Sequence, residues 1–136
     1  MIRLCLLLYY SMLQISAFNI IKVIGSQWLW LFFSIENICI YQVILLESDF
    51  FIGDLRLIQS GNLIVLLTLI IYKIWLSSID VIHSFTIPVL SIKLDAIPGR
   101  CNEVVVNVNI SGSFYGQCSE LCGVLHGFMP ISICFL

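Results

Sequence analysis

The sequence predicts a mainly β domain, a sandwich or barrel of short strands, behind a short N-terminal helical stub. Three observations predict it. From Phe18 onward β-branched and aromatic residues dominate, and such side chains suit a pleated, half-buried surface. Turn signals at Ser60-Gly61-Asn62, Pro98-Gly99 and Ser111-Gly112-Ser113 cut that stretch into short runs, the spacing of small all-β folds. Residues 1–16 differ: unbranched Leu and Met prevail there and Gly and Pro are absent, as in a helix. The expected division is a membrane-helix remnant over 1–16 and a strand-rich domain over 17–136.

Leu4–Tyr10 is apolar, but Ser11, Gln14, Ser16 and Asn19 break the continuation of that run. A full span needs about 20 apolar residues, so the segment reads as a stub embedded in a membrane. Arg3 ahead of the run also fits a secretory signal, although no small-residue cleavage site comes after it. Ile20–Val23 and Gln27–Phe33 read as strands interrupted at Gly25, where a bulge is expected. Asp54–Gln59 leads into the Ser60-Gly61-Asn62 turn. Leu63–Leu76 is a 14-residue apolar run containing Lys73, too short for a bilayer and suited to buried strands. The segment Asp80–Pro88 comes next. At Pro98-Gly99, Pro presets φ and Gly supplies a positive φ. Glu103–Ile110 alternates Val with polar residues, the period of a half-buried strand. Phe114–Gln117 then leads to a cysteine-containing loop. There is no internal repeat, low-complexity tract or long linker.

Composition narrows the function. Of 136 residues, 60% are hydrophobic and 10% charged, with a mean hydropathy of +1.08. A chain this poor in charge touches lipid or has much of its surface covered by partners. A net charge of -2 offers no basic face, which argues against nucleic acid. Cysteines stand at 5, 39, 101, 118, 122 and 134. Cys5, Cys39, Cys101 and Cys134 are scattered through a largely apolar chain and are expected to be small buried hydrophobes.

Cys118 and Cys122 are different. Cys118 to Met129 holds two thiols, the His126 imidazole and a thioether within 12 residues, in the pattern C-x3-C-x3-H-x2-M. Thiolates select copper, zinc or iron–sulfur, imidazole suits copper or zinc, and a thioether is a weak axial ligand to copper. One cysteine, one histidine and a methionine make a mononuclear copper loop; a second cysteine lets two sulfurs bridge two coppers. The chain has only one other histidine, His83, so a second imidazole must come from Asp80–Ser84. The Glu120 carbonyl, between the cysteines, is a further oxygen donor. Two readings compete: the two cysteines and two histidines could hold one tetrahedral zinc, or the cysteines could form a disulfide in an oxidising compartment. Zinc leaves Met129 without a role. Taken singly, Met129 reads as a core gap-filler and His126 as a polar-rim residue.

Gly116 to Gly123 with His126, Phe128, Met129 and Pro130 resembles the binuclear copper loop of the cytochrome c oxidase subunit II family. Asp80-Val81-Ile82-His83-Ser84-Phe85 is similar to that family's first-histidine segment, Asp95 to Arg100 to its D-A-I-P-G-R turn, and Gln27-Trp28-Leu29-Trp30 to its aromatic segment. The resemblance covers residues 16–136. It implies a cupredoxin-like Greek-key β-barrel hung from membrane helices. It implies that His83, Cys118, the Glu120 carbonyl, Cys122, His126 and Met129 ligate the copper pair (CuA). The Glu120 carboxylate would face a magnesium ion at subunit I, as suits a hard cation. Trp28 would take electrons from docked cytochrome c, although alone it reads as a buried aromatic. Asp80 and Asp95 would orient ligands and the interface, and Arg100 would pair with an acidic group or a haem propionate; alone it reads as a solvated turn residue.

The implied function is electron transfer from cytochrome c towards haem a in subunit I, where oxygen is reduced. The implied partners are cytochrome c, subunit I, further oxidase subunits and the membrane. The implied compartment is the positive face of an energy-transducing membrane. The Ile- and Leu-rich composition favours the mitochondrial inner membrane, facing the intermembrane space, over a bacterial plasma membrane. Departures are also visible. The family's first helix is missing and its second is a remnant, so the chain reads as a fragment or the downstream part of a split subunit. Leu29 stands where the family usually has an aromatic and Phe85 where it usually has Trp, and Phe32–Ile52, which matches the family's cytochrome c dock, offers only Glu36, Glu47 and Asp49. Steering by charge is therefore weaker or supplied by other subunits. A nitrous oxide reductase domain usually has an aromatic where Glu120 stands, and copper-delivery proteins lack the Cys122–His126–Met129 spacing.

Overall fold

The computed structural model describes residues 19–33, 39–42, 52–53, 55 and 58–136. The expected helix at 1–16, with Cys5, and also Glu36, Glu47 and Asp49, lie outside the described residues, as does the side chain of Cys39. Among the described residues no helix is long and apolar enough to cross a membrane.

Ten strands are described: β1 (Asn19–Ser26), β2 (Leu29–Phe33), β3 (Cys39–Gln42), β4 (Ile64–Leu66), β5 (Ile71–Ser78), β6 (His83–Ile87), β7 (Ile92–Ala96), β8 (Asn102–Asn107), β9 (Gly112–Cys118) and β10 (Pro130–Phe135). They form two five-stranded sheets, ordered β3-β2-β1-β5-β8 and β4-β10-β9-β6-β7. Most neighbours are antiparallel, while β1 runs parallel to β5 and β4 parallel to β10.

Side-chain alternation places the core between the sheets. In β5, Tyr72, Ile74 and Leu76 are buried while Lys73, Trp75 and Ser77 between them are only half-buried. In β1 and β2, Ile21, Val23, Trp30 and Phe32 point inward. Trp30 is fully buried and meets Phe85 edge-on, with ring centroids 5.2 Å apart. Phe135 repeats that geometry with Phe114 at 5.6 Å and Tyr72 at 6.5 Å. Such edge-to-face contacts add to the area each ring buries.

A polar latch joins the two sheets. Buried Gln42 donates to the carbonyls of Ser132 at 2.5 Å and Asn62 at 2.9 Å, and its Oε1 accepts from the Ser132 amide at 3.0 Å. Ser132 lies one residue before Ile133, where β4 begins to pair with β10. The Gln42 amide therefore takes the place of a neighbouring strand and satisfies backbone groups that burial would otherwise leave unpaired.

Four expectations need correction. The sheets are open, so the domain is a two-sheet sandwich and not a closed barrel. A lone parallel bridge, Ser78–Pro98, extends from the end of β5 towards the segment after β7; Pro98 has no N–H with which to continue a ladder. Gly25 makes no bulge, since β1 pairs continuously through it with Trp30 and Ser78. Instead it lies at a close approach: a Cβ there would sit 2.9 Å from His83 Cδ2 and 3.1 Å from Trp30 Cζ3. Gln27 and Trp28 form the turn between β1 and β2, so the second strand starts at Leu29. Cys101 is exposed in the turn before β8, and Cys134 is half-buried, because its alternate position on β10 faces away from the core. The apolar run Leu63–Leu76 does become strands, β4 and β5, divided by a turn at 68–69 where Leu69 holds φ at 62°.

Gly116 on β9 is the tightest approach between strands. A Cβ there would overlap the Thr86 carbonyl oxygen of β6. Gly116→Ala should push β6 away from β9 and cost roughly 1–3 kcal/mol. The expected result is a lower denaturant midpoint for the copper-free chain; an unchanged midpoint would contradict the packing described.

Candidate metal centre

The cysteine loop hangs between two strand ends. Cys118 closes β9 and Pro130 opens β10, so both loop ends are fixed by the sheet. The Cys118 amide donates to the Met129 carbonyl at 3.1 Å, and the Ser119 amide donates to the Ser84 carbonyl of β6 at 3.0 Å. Gly123 holds φ at 129°, a conformation open to glycine. A short 3-10 turn, His126–Phe128, then presents the second imidazole.

Within this frame the donor atoms converge. Cys118 and Cys122 are buried free thiols, with Sγ atoms 3.8 Å apart. They are not bonded to each other, which removes the disulfide reading. His83 Nδ1 lies 3.9 Å from Cys118 Sγ, and His126 Nδ1 lies 3.5 Å from Cys122 Sγ. The Glu120 carbonyl oxygen is 3.3 Å from Cys118 Sγ, while the Glu120 side chain belongs to an exposed residue. Met129 is fully buried at the foot of β10. His83, Cys118 and Cys122 offer ligand atoms that all lie within 4.8 Å of one another; His126 falls outside that cluster.

His83 is held on both sides. Its Nε2 contacts Asp80 Oδ1 at 2.8 Å, which leaves Nδ1 facing the sulfur. A carboxylate on the far ring nitrogen fixes the tautomer of a metal-binding histidine and raises its basicity. Trp30 packs edge-on beneath the ring, centroids 5.8 Å apart, and Gly25 makes room for it.

The ionisation pattern follows from these contacts. Burial opposes ionisation of Cys118, but hydrogen bonding to His83, to the backbone at Ser84 and Glu120 and to His126 outweighs it and brings the thiol down to about 7. Cys122 is pushed up to about 12, by burial first and then by the neighbouring Cys118. Burial would lower His83, yet Cys118 and Asp80 together raise it above its ordinary value. Burial would raise Asp80, but the His83 ring and the Gln27 and Val81 amides hold it at about 2. The metal-free pair thus favours one thiolate beside one thiol, and a metal that takes both sulfurs must displace the remaining proton.

A family model described as "Cytochrome C oxidase subunit II, periplasmic domain" matches residues 19–135. The chain belongs to the cytochrome c oxidase subunit II family. It is 55% identical to cytochrome c oxidase subunit 2 of Leishmania tarentolae, over 100% of this chain and 65% of that protein. It is 54% identical to the Trypanosoma brucei brucei subunit 2, over 95% of this chain and 61% of that protein. The chain thus spans 65% and 61% of the length of these relatives. The periplasmic domain of subunit II of cytochrome oxidase from Bradyrhizobium japonicum superposes with a TM-score of 0.80 at 36% identity, covering 89% of this chain and 86% of that one. The sandwich is therefore cupredoxin-like, as its structural neighbours are.

Most residues of the subunit II pattern meet in space. His83, Cys118, Cys122, His126 and the Glu120 carbonyl come together in one cluster of contacts, with Asp80 behind His83. Trp28 is half-buried against the loop: a Cβ on Gly123 would lie 3.1 Å from its Nε1. Asp95 and Arg100 stand apart, both exposed and lining an open hollow with Lys93 and Asn102. Two participants carry no ligand chemistry, and the sequence gives neither of them a role at the centre. Gly25 shows its role only through the approach of His83, and Gln27 only through its bond to the Cys122 carbonyl.

Asp80 gives the centre a pH dependence. A carboxyl held below its ordinary 3.8 stabilises the folded chain above that value and loses its contribution as pH falls towards about 2. The copper-free chain should therefore lose stability between these values, and Asp80→Asn should remove that part of the loss. Denaturant midpoints measured from pH 5 down to 2 check this; identical pH profiles for the two proteins would contradict it.

Proposed function

We propose that this chain is the electron-accepting domain of a haem–copper terminal oxidase, taking electrons from a cytochrome c at a binuclear copper centre and passing them towards haem a in subunit I. One observation carries the reading: each thiol has an imidazole beside it, His83 at 3.9 Å from Cys118 and His126 at 3.5 Å from Cys122, and although His126 also reaches Cys118 it lies outside the compact cluster of His83, Cys118 and Cys122. Donors around a single tetrahedral zinc, at bonds of about 2.0–2.3 Å, must all be mutual neighbours. Donors that flank a sulfur pair from two sides suit two metals that share the sulfurs.

The donor set fits copper: two thiolates, two imidazoles, a carbonyl and a thioether. His83, Cys118, the Glu120 carbonyl, Cys122, His126 and Met129 would hold the pair. When bound, a copper pair would supply a one-electron carrier. The chain's own residues do the rest. Asp80 keeps His83 Nδ1 turned to the sulfurs. Burial of His83, Cys118, Cys122 and Met129 keeps water from the centre. Clamped loop ends hold the donors in one arrangement, so little need move when charge changes.

The same reading assigns the surroundings. Trp28 accepts the electron from docked cytochrome c. The Glu120 carboxylate faces a magnesium ion at the contact with subunit I, and Asp95 and Arg100 lie along that interface. Residues 17–136 form the copper domain behind a membrane segment at 1–16, in the mitochondrial inner membrane and facing the intermembrane space. Further subunits cover the apolar surface.

Electron uptake tests the function. Rapid mixing of the copper-loaded chain with reduced cytochrome c should show fast transfer, and Trp28→Phe should slow it by roughly tenfold or more without loss of copper. Transfer at the wild-type rate in that variant would contradict the role of Trp28.

A further inference from the structure

Gln27 occupies an unusual place beside the centre. It is an exposed residue in the turn between β1 and β2, yet it bonds to both limbs of the ligand cage. Its main-chain amide donates to Asp80 Oδ2 at 2.6 Å, while the other oxygen of that carboxylate holds His83 Nε2 at 2.8 Å. Its side-chain amide donates to the Cys122 carbonyl at 2.8 Å. One residue on, the Trp28 indole lies over Gly123, where a Cβ would sit 3.1 Å from both Gln27 Nε2 and Trp28 Nε1. The indole N–H has no hydrogen-bond partner among the described residues.

We propose that Gln27 is a positioning residue: its side-chain amide ties the turn that carries Trp28 to the Cys122–Gly123 backbone, so that the electron-accepting ring and the ligand loop move as one unit. The proposal rests on the reading of Trp28 given above. The chemistry is specific to glutamine. Alanine leaves the Cys122 carbonyl to water. Glutamate sets a second acceptor against that carbonyl, and asparagine is one methylene too short to reach it. The fold depends little on this bond, because the main-chain link from Gln27 to Asp80 survives each of these substitutions. The loss should therefore fall on the ring's position.

The test uses the full chain labelled with 5-fluorotryptophan and fluorine NMR. The three tryptophans, Trp28, Trp30 and Trp75, give three signals, and Trp28→Phe identifies the first. In the copper-free chain, Gln27→Ala and Gln27→Glu should shift and broaden the Trp28 signal and raise its solvent-isotope response, as the ring edge passes from the loop into water. The Trp30 and Trp75 signals should stay in place, which also reports that the sheets are intact. After copper loading, uptake from reduced cytochrome c should fall by about tenfold in both variants while uptake from ascorbate is unchanged. An unmoved Trp28 signal would overturn the proposal, and so would equal slowing from both donors, which would place the effect in the cage. If Trp28→Phe takes electrons at the wild-type rate, the reading of Trp28 fails; the fluorine signal of the copper-free chain still decides whether Gln27 holds the ring.

Discussion

Everything at this centre depends on one constraint: two thiols on a single loop are held 3.8 Å apart without bonding to each other. Free in an oxidising compartment, two cysteines so close in sequence would tend to pair. Here the loop is pinned at both ends. The Cys118 amide is tied to the Met129 carbonyl and the Ser119 amide to the Ser84 carbonyl. These bonds involve the residue before β10 and a residue of β6, so the sheet that carries β9 and β10 holds the sulfurs. The sandwich acts as a frame, and its stability is transmitted to the donor geometry through backbone hydrogen bonds.

The imidazoles depend on the same frame in different ways. His126 is local to the loop and follows it through the short 3-10 turn. His83 comes from the first residue of β6, and three features select its orientation. Asp80 holds one nitrogen, Trp30 supports the ring from below, and Gly25 leaves the space the ring occupies. A side chain at position 25 would push against the ring edge and the indole together, which explains a glycine near the end of a strand rich in Ile and Val.

The loop donors are legible from sequence because they are contiguous and their spacing carries chemistry. His83 is legible by elimination, since the chain has only one other histidine. Strand identity is legible from composition and alternation. Closure is not: whether the sheets join depends on how the edge strands β8 and β7, and β3 and β4, lie to one another, which no local pattern encodes. Gly25 reads as a bulge because periodicity cannot distinguish a broken ladder from a close tertiary approach. Cys101 reads as a buried hydrophobe from the apolar composition of the chain, yet a residue that sits in a turn between Arg100 and Asn102 stays in water. Asp95 and Arg100 come from the resemblance to subunit II alone; both are exposed and lie away from the thiol pair. The apolar excess is visible around the loop, where Leu121 is 79% and Val124 91% exposed and Ile82 and Phe128 are exposed as well. An apolar rim of this kind marks a surface made to be covered.

The proposed sharing of the sulfur pair by two coppers is tested by metal content together with electron paramagnetic resonance of the half-reduced, copper-loaded chain. Two coppers per chain are expected, with a hyperfine pattern from one unpaired electron spread equally over both nuclei. A single metal per chain, whether one zinc or a copper with the pattern of one isolated nucleus, would contradict it.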